Sequence, residues 1–301
     1  MYGGFWFNLK NAFNHKENGL YKLLAINILL YLVVMVSGVL MTLGGAEGIY
    51  RQLLSYLMMP ASIPYFASQP WTIFTYMFLH EGFFHILFNM LFLYWFGLLI
   101  NEYLGSRKLV NLYILGGLAG GLFYLLIYNL APLFSNQIDT ALMLGASAGV
   151  YAIVVGAATL TPNTEFHLIL LGPVKIKYIA IFYVLVAFAN SSGSNAGGEL
   201  AHLGGAALGF LYIRQLQKGR DVGRPVQWVG GLFENLMAKK PKVKVTYRKK
   251  YTGESHSAEP KRTVDVSTQE EIDKILDKIA EKGYDNLSKE EKRKLFDFSN
   301  K

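Results

Sequence analysis

Residues 145–156 read Gly-Ala-Ser-Ala-Gly-Val-Tyr-Ala-Ile-Val-Val-Gly. Ala148, Ala152 and Gly156 recur every four residues, which puts them on one face of a helix. Ser147 stands beside that face. Further along, Ala201-His202-Leu203-Gly204-Gly205 opens a second stretch of the same kind, in which Ala201, Gly205 and Gly209 repeat at four. Small-xxx-small faces let two helices approach closely in lipid, where packing rather than water expulsion holds helices together. A serine and a histidine therefore flank two surfaces built to meet.

The surroundings are those of a membrane protein. The chain is 52% hydrophobic and only 17% charged, which is apolar for its size. Apolar segments fall at about 21–44, 71–100, 107–134, 143–161, 175–191 and 200–217. A helix needs about 20 apolar residues to cross the hydrocarbon layer, so six spans are expected, the last three short and the second and third long enough to tilt. The fold class expected is an all-α polytopic membrane bundle with a small helical tail. Residues 1–20 form an N-terminal segment, 21–217 the membrane domain, 218–262 a basic amphipathic linker and 263–301 a helical hairpin. The first 20 residues lack an apolar run followed by a small-residue cleavage site, so no cleavable signal peptide is expected.

Lysine and arginine orient the spans. Lys10, Lys16 and Lys22 precede or open the first span, Arg107 and Lys108 join the second to the third, and Lys175 and Lys177 join the fourth to the fifth. Arg214, Lys218 and Arg220 follow the sixth, whereas the opposite side holds only Arg51. Both termini are expected in the cytoplasm, with a bacterial inner membrane as the compartment. This orientation puts Ser147 and His202 at the non-cytoplasmic ends of their spans, at similar depth. The 1–2 connection, about 45–70, could lie in the interface as an amphipathic segment or serve as an ordinary loop. Without cysteine, thiolate catalysis and disulfides are excluded.

Serine needs a base to take its proton. Of the six histidines, His80, His85 and His202 lie at the right depth, and His202 alone has small neighbours. Polar groups at membrane depth are functional by default, so Ser147 and His202 are the candidate nucleophile and base. Glu47, Glu81, Glu102, Asp139, Glu165 and Glu199 all fall in connections or at span ends. A Ser–His dyad is therefore expected rather than a triad. Tyr151, one turn after Ser147, could stack on the His202 ring. His85 and Asn89 are four apart on one face of the second span and could donate hydrogen bonds to an oxyanion, with the Ser147 N–H at a helix start as a third donor. His80 and His85 are five apart, which is wrong for the helical zinc motif with its histidines four apart; no metal and no cofactor are expected. A transporter or channel is disfavoured by the lack of mid-span acids or a basic pore lining.

At these residues the chain resembles a rhomboid intramembrane serine protease of the bacterial type. The likeness covers about 60–216 and rests on His85-x-x-x-Asn89, on Gly145-x-Ser147 with Tyr151, and on Ala-His-x-Gly-Gly at 201–205. Glu102 followed by Leu104-Gly105-Ser106-Arg107 adds to it. The resemblance implies a six-helix core, a Ser–His dyad in a water-filled cavity, an oxyanion site shared by Ser147, His85 and Asn89, and cleavage of transmembrane substrates that approach near the second and fifth spans. The alternative it leaves is a catalytically inactive membrane binding protein or chaperone of the same fold. One position departs from the family, which carries glycine directly after the nucleophile where this chain has Ala148. The Gly/Ser-rich 190–198 connection would sit above the dyad as a movable lid or a plain linker.

Residues 217–262 hold twelve Lys/Arg against four Asp/Glu. Beside a membrane helix such a stretch contacts anionic lipid, and no aromatic-interleaved nucleic-acid fold is visible in it, so lipid rather than nucleic acid is the expected partner. Trp228, Leu232, Phe233, Leu236 and Met237 suggest an amphipathic surface helix. Ser267 with Glu270 and Ser288 with Glu291 read as capping boxes, and Gly283 as a helix stop. Apolar stripes of Ile272, Ile275, Leu276 and Ile279, and of Leu295, Phe296 and Phe298, complete a hairpin small enough to need a cytoplasmic partner or a docking surface.

Overall fold

The computed structural model describes residues 4–14, 18–168, 172–228, 231 and 266–299. The chain divides into two units, 1–239 and 240–301. In the first, a short α1 (Phe5–Lys10) precedes α2 (Gly19–Leu43). Only the first turns of α2 are buried; beyond Asn27 it exposes Leu29, Val33, Val36, Leu40 and Leu43. A helix apolar all round and uncovered by protein is a lipid-facing helix.

The connection after α2 is structured. It carries α3 (Glu47–Ser55), a two-residue strand β1 (Met59–Pro60), α4 (Ile63–Ser68) and α5 (Thr72–Thr75). The second span, expected from 71, begins instead with α6 (Phe83–Leu130), after Gly82 at φ 102°. Residues 72–78 are apolar for another reason: α5 and a tight turn at Tyr76–Phe78 bury Thr72, Tyr76, Met77 and Phe78 inside the protein. The segments expected as the second and third spans are the two parts of α6, broken at Gly105, where φ 79° and ψ 165° are not helical. Ser106 marks the break: its hydroxyl accepts from the Gly19 N–H at 3.1 Å and donates to Asn101 at 2.7 Å. That explains the Leu104-Gly105-Ser106 element of the sequence. The short strand β2 (Leu142–Met143) then pairs antiparallel with β1.

α7 (Ser147–Leu160), α8 (Ile176–Asn190) and α9 (Ala196–Gln217) follow the expected fourth to sixth spans. A ribbon of β3 (Glu165–Leu168) and β4 (Gly172–Lys175) joins α7 to α8 and takes in His167. Only Ser191–Asn195 separate α8 from α9, because 196–198 are helical rather than linker. α2 and α6 are long and apolar enough to cross a membrane. α7, with 14 residues, is about 21 Å long, short of the roughly 30 Å hydrocarbon layer.

α6, α7 and α9 pack most tightly. A Cβ on Gly205 would lie 2.1 Å from the Ala148 carbonyl oxygen, and one on Gly209 2.3 Å from that of Ala152. The small faces of α7 and α9 thus meet backbone to backbone, as their spacing predicts. The second part of α6 supplies a third small face: Cβ atoms on Gly116 and Gly120 would come within 2.3 Å of the Ala152 Cβ and 2.5 Å of the Ala148 Cβ. On the Lys/Arg-rich side, Lys108 pairs with Asp221.

In the second unit, α10 (Val266–Lys282) and α11 (Lys289–Ser299) form the hairpin around Ile272, Ile275 and Leu287. Leu276 and Phe296 stay largely exposed, so each apolar stripe is narrower than expected. Gly283 ends α10 at φ 78°. The Ser288–Glu291 capping box is formed, with the Glu291 N–H donating to Ser288 Oγ at 3.2 Å and the Ser288 N–H to Glu291 Oε2 at 2.7 Å. The Lys278 ammonium and this backbone N–H hold the Glu291 carboxyl at about 2. α10 already includes Val266; the side chains of Ser267 and Glu270, the other expected capping box, lie outside what is described. Most of the basic linker, with Leu232, Phe233, Leu236 and Met237, lies outside the described residues.

Candidate active site

The start of α7 is set by the residues before it. Gly145 takes φ 136°, a conformation side-chain-bearing residues rarely adopt, and its N–H donates to the Tyr76 carbonyl at 2.9 Å. Its missing side chain leaves a space bounded by atoms of two candidate residues. A Cβ there would lie 3.1 Å from His85 Nε2 and 3.4 Å from Ser147 Oγ. Ala146 then turns the chain into α7, whose first residue is Ser147. The N–H groups of the first turn have no carbonyl of their own helix to meet.

A cavity of about 750 Å³ opens at this point, and Ser147, His202, His85, Asn89 and Tyr151 all line it. Residues from three helices, far apart in sequence, thus converge on one space. The Tyr151 ring stacks on that of His202, with centroids 4.2 Å apart and planes within 9°. Asn89 is buried, and its amide donates to the His85 carbonyl one turn back at 2.9 Å. One amide proton is thereby held by its own helix and the second remains for the cavity. Ser147 Oγ makes no direct hydrogen bond to another described residue; nucleophile–base bonds often close only with substrate in place.

His80 is buried behind this wall. Its ring meets that of His85 edge to face at 5.1 Å, and among the described residues neither of its nitrogens has a partner. The far wall belongs to α8: Tyr183 touches Phe92 of α6 at 4.7 Å between centroids and Tyr151 at 5.6 Å. Ser194, Asn195, Gly197 and Gly198 also line the cavity.

The expectation that no carboxylate reaches the imidazole does not hold. Glu199 Oε2 lies 3.0 Å from His202 Nδ1. The physical reason is the start of α9. Taken to begin at 200, the sixth span leaves Glu199 in a loop; beginning at Ala196, it puts Glu199 in the first turn. There the helix dipole favours a carboxylate, and His202 follows three residues later on the same face. The missed sign was the Glu-x-x-His spacing itself.

Ala148, the departure from the family pattern, lies within the helical run of α7 and is 1% exposed. Its methyl faces the bare backbone of Gly120. The positive-φ position before the helix is Gly145, so alanine at 148 brings no backbone strain.

The Rhomboid domain model matches residues 67–218, which takes in every residue above. A second model, described as a family of unknown function (DUF6576), matches the hairpin at 265–301. Among curated proteins, RHOMBOID-like protein 12, mitochondrial, of Arabidopsis thaliana is 33% identical over 159 residues, 50% of this chain and 47% of the relative. Rhomboid-like protein 16, chloroplastic, of the same plant is 30% identical over 160 residues, half of each chain. Rhomboid protein 1, mitochondrial, of Saccharomyces cerevisiae is 27% identical over 213 residues, 70% of this chain and 56% of the relative. The chain thus spans about half the length of the curated relatives it matches. Their names point to mitochondria and chloroplasts, and none of the three to the bacterial inner membrane expected from the sequence. A family match over half the chain, on a lipid-facing bundle with this cavity inside it, has one consequence: the chain belongs to the rhomboid family and is an integral membrane protein.

Proposed function

We propose that this chain is an intramembrane serine endopeptidase that cleaves transmembrane segments of other proteins. The observation that carries the reading is the cavity shared by Ser147 and His202, with the His202 ring held flat against Tyr151. In this reading Ser147 Oγ attacks the scissile carbonyl carbon and its proton passes to His202. The tetrahedral oxyanion takes hydrogen bonds from the Ser147 N–H, His85 and Asn89. His202 then protonates the departing amine as the C–N bond breaks, and water hydrolyses the acyl-enzyme by the same route.

Six spans with both termini on the Lys/Arg-rich, cytoplasmic side follow from the charge pattern. The shortness of α7 then sets Ser147 below the opposite surface, at the depth of a substrate helix. Substrates reach the cavity between the first part of α6 and α8, where Phe92 meets Tyr183. Ala148 is the departure from the family pattern that favours the inactive reading, and its place inside the helical run of α7 argues against it.

The test is cleavage of a helical membrane substrate by the full chain in liposomes. Wild type should cleave, and Ser147→Ala and His202→Ala should each lose at least about 1,000-fold. Equal turnover by Ser147→Ala would reject the assignment. Asn89→Ala should lower kcat by about 10- to 100-fold with little change in KM; a change in KM alone would remove Asn89 from the oxyanion site.

A further inference from the structure

We propose that Glu199 is a positioning residue that turns the Ser–His pair of this chain into a Ser–His–Glu triad, two of its members one turn apart on α9. The inference rests on the proposed roles of Ser147 and His202. Three observations carry it. Glu199 Oε2 is 3.0 Å from His202 Nδ1, which ties down one nitrogen of the ring. Tyr151 covers a face of the same ring at 4.2 Å. The side chains of His202 and Glu199 are only 13% and 15% exposed, so water screens their interaction poorly.

With a face and Nδ1 both held, Nε2 is the nitrogen left for the Ser147 hydroxyl. A carboxylate on Nδ1 fixes the tautomer whose Nε2 lone pair can accept a proton. It also stabilises the imidazolium that forms once the proton arrives. The serine proton goes to Nε2 and from there to the leaving amine, and none passes to the carboxylate. The competing role for Glu199 is helix stabilisation alone. A negative charge in the first turn would do that without touching His202, and it predicts a different pattern of effects.

The experiment uses the full chain in liposomes with a helical membrane substrate. It measures kcat, KM, thermal midpoint and the rate at which a fluorophosphonate probe labels Ser147. Glu199→Gln should lower kcat by about 10- to 100-fold and slow labelling by a similar factor, less than loss of the base itself. KM should stay within about twofold and the thermal midpoint should hold. A folded Glu199→Gln chain with wild-type kcat and labelling overturns the triad. So does a loss of activity that only follows a falling midpoint. If the glutamine variant does not fold, Glu199→Asp keeps the helix-end charge but draws the carboxylate back from Nδ1. It should fold and be slow, and wild-type kcat in that variant would equally reject the proposal. Ser147→Ala separates the two levels of inference. If it is inactive while Glu199→Gln is normal, the triad alone fails; if it is active, the protease reading fails with it.

Discussion

The contact of α7 with α9 and the contacts of α8 are opposite ways of holding a helix in lipid. α7 and α9 touch through backbone: no side chain separates Gly205 from the Ala148 carbonyl or Gly209 from that of Ala152. α8 buries only Ile176, Ala180 and Ala187 and turns Ile181, Phe182, Leu185 and Phe188 outward. It meets the site through the ring of Tyr183. The proposed nucleophile and base stand on the pair with no room to shift, whereas the neighbouring wall is held by contacts that lipid chains can replace. Chemistry requires the first arrangement, since reacting groups must keep their geometry. Admission of a substrate helix requires the second.

Gly205→Ala is the hardest test of the close pair. Its methyl would fall 2.1 Å from the Ala148 oxygen, and backbone on both sides cannot step aside as a flexible side chain would. We expect a loss of about 3 kcal/mol or more and at least a 100-fold fall in turnover as Ser147 and His202 part. Unfolding in detergent and the liposome assay read the two effects. An unchanged midpoint would show that the helices are not in backbone contact.

Gly116→Ala probes the third face with a smaller effect. The new methyl would meet the Ala152 Cβ at 2.3 Å and nothing else closer than 3.3 Å. A loss of about 1–3 kcal/mol is expected. Ala152→Gly in the same chain removes the obstacle and should recover about 1 kcal/mol or more in a double-mutant cycle. Additive losses would mean that the clash lies elsewhere.

Such pairs mark the limits of what the sequence discloses. The small faces of α7 and α9 are legible because each repeats at four within one segment. Gly116 and Gly120 repeat in the same way, but a long apolar segment invites attention to its length before its faces. The early start assigned to the second span has a similar origin. Tyr76, Met77 and Phe78 are apolar because protein covers them, and composition does not distinguish protein from lipid as the cover. Ser147, His202, His85, Asn89 and Tyr151 are nameable from spacing and from the family resemblance, and they line one cavity. Glu199 is not, because its meaning depends on α9 starting at Ala196, and helix ends are the least legible feature of a sequence.

On the α8 side, Tyr183→Ala should cost no more than about 1 kcal/mol, since lipid fills the place of the lost ring. It should raise cleavage of a transmembrane substrate a few-fold if admission past Phe92 limits turnover. A soluble, unstructured peptide should gain nothing, having no helix to admit. A fall in both stability and turnover would make α8 a structural wall like α7, and the contrast would be lost.

The smallest effect is expected at Ala148, where the family has glycine. Ala148→Gly restores the family residue inside α7. It removes a methyl that packs over Gly120 and loosens the first turn, at about 1 kcal/mol by helix propensity. Turnover should stay within about twofold, because residue 148 lies inside the helix and the positive-φ position before it is Gly145 at φ 136°. The reverse substitution at the neighbouring hinge sharpens the point. Gly145→Ala would force a side chain into a positive-φ position and against His85 and Ser147, so it should abolish cleavage where Ala148→Gly leaves it intact. A large gain in turnover from Ala148→Gly would instead mean that the alanine holds the oxyanion site away from its working geometry.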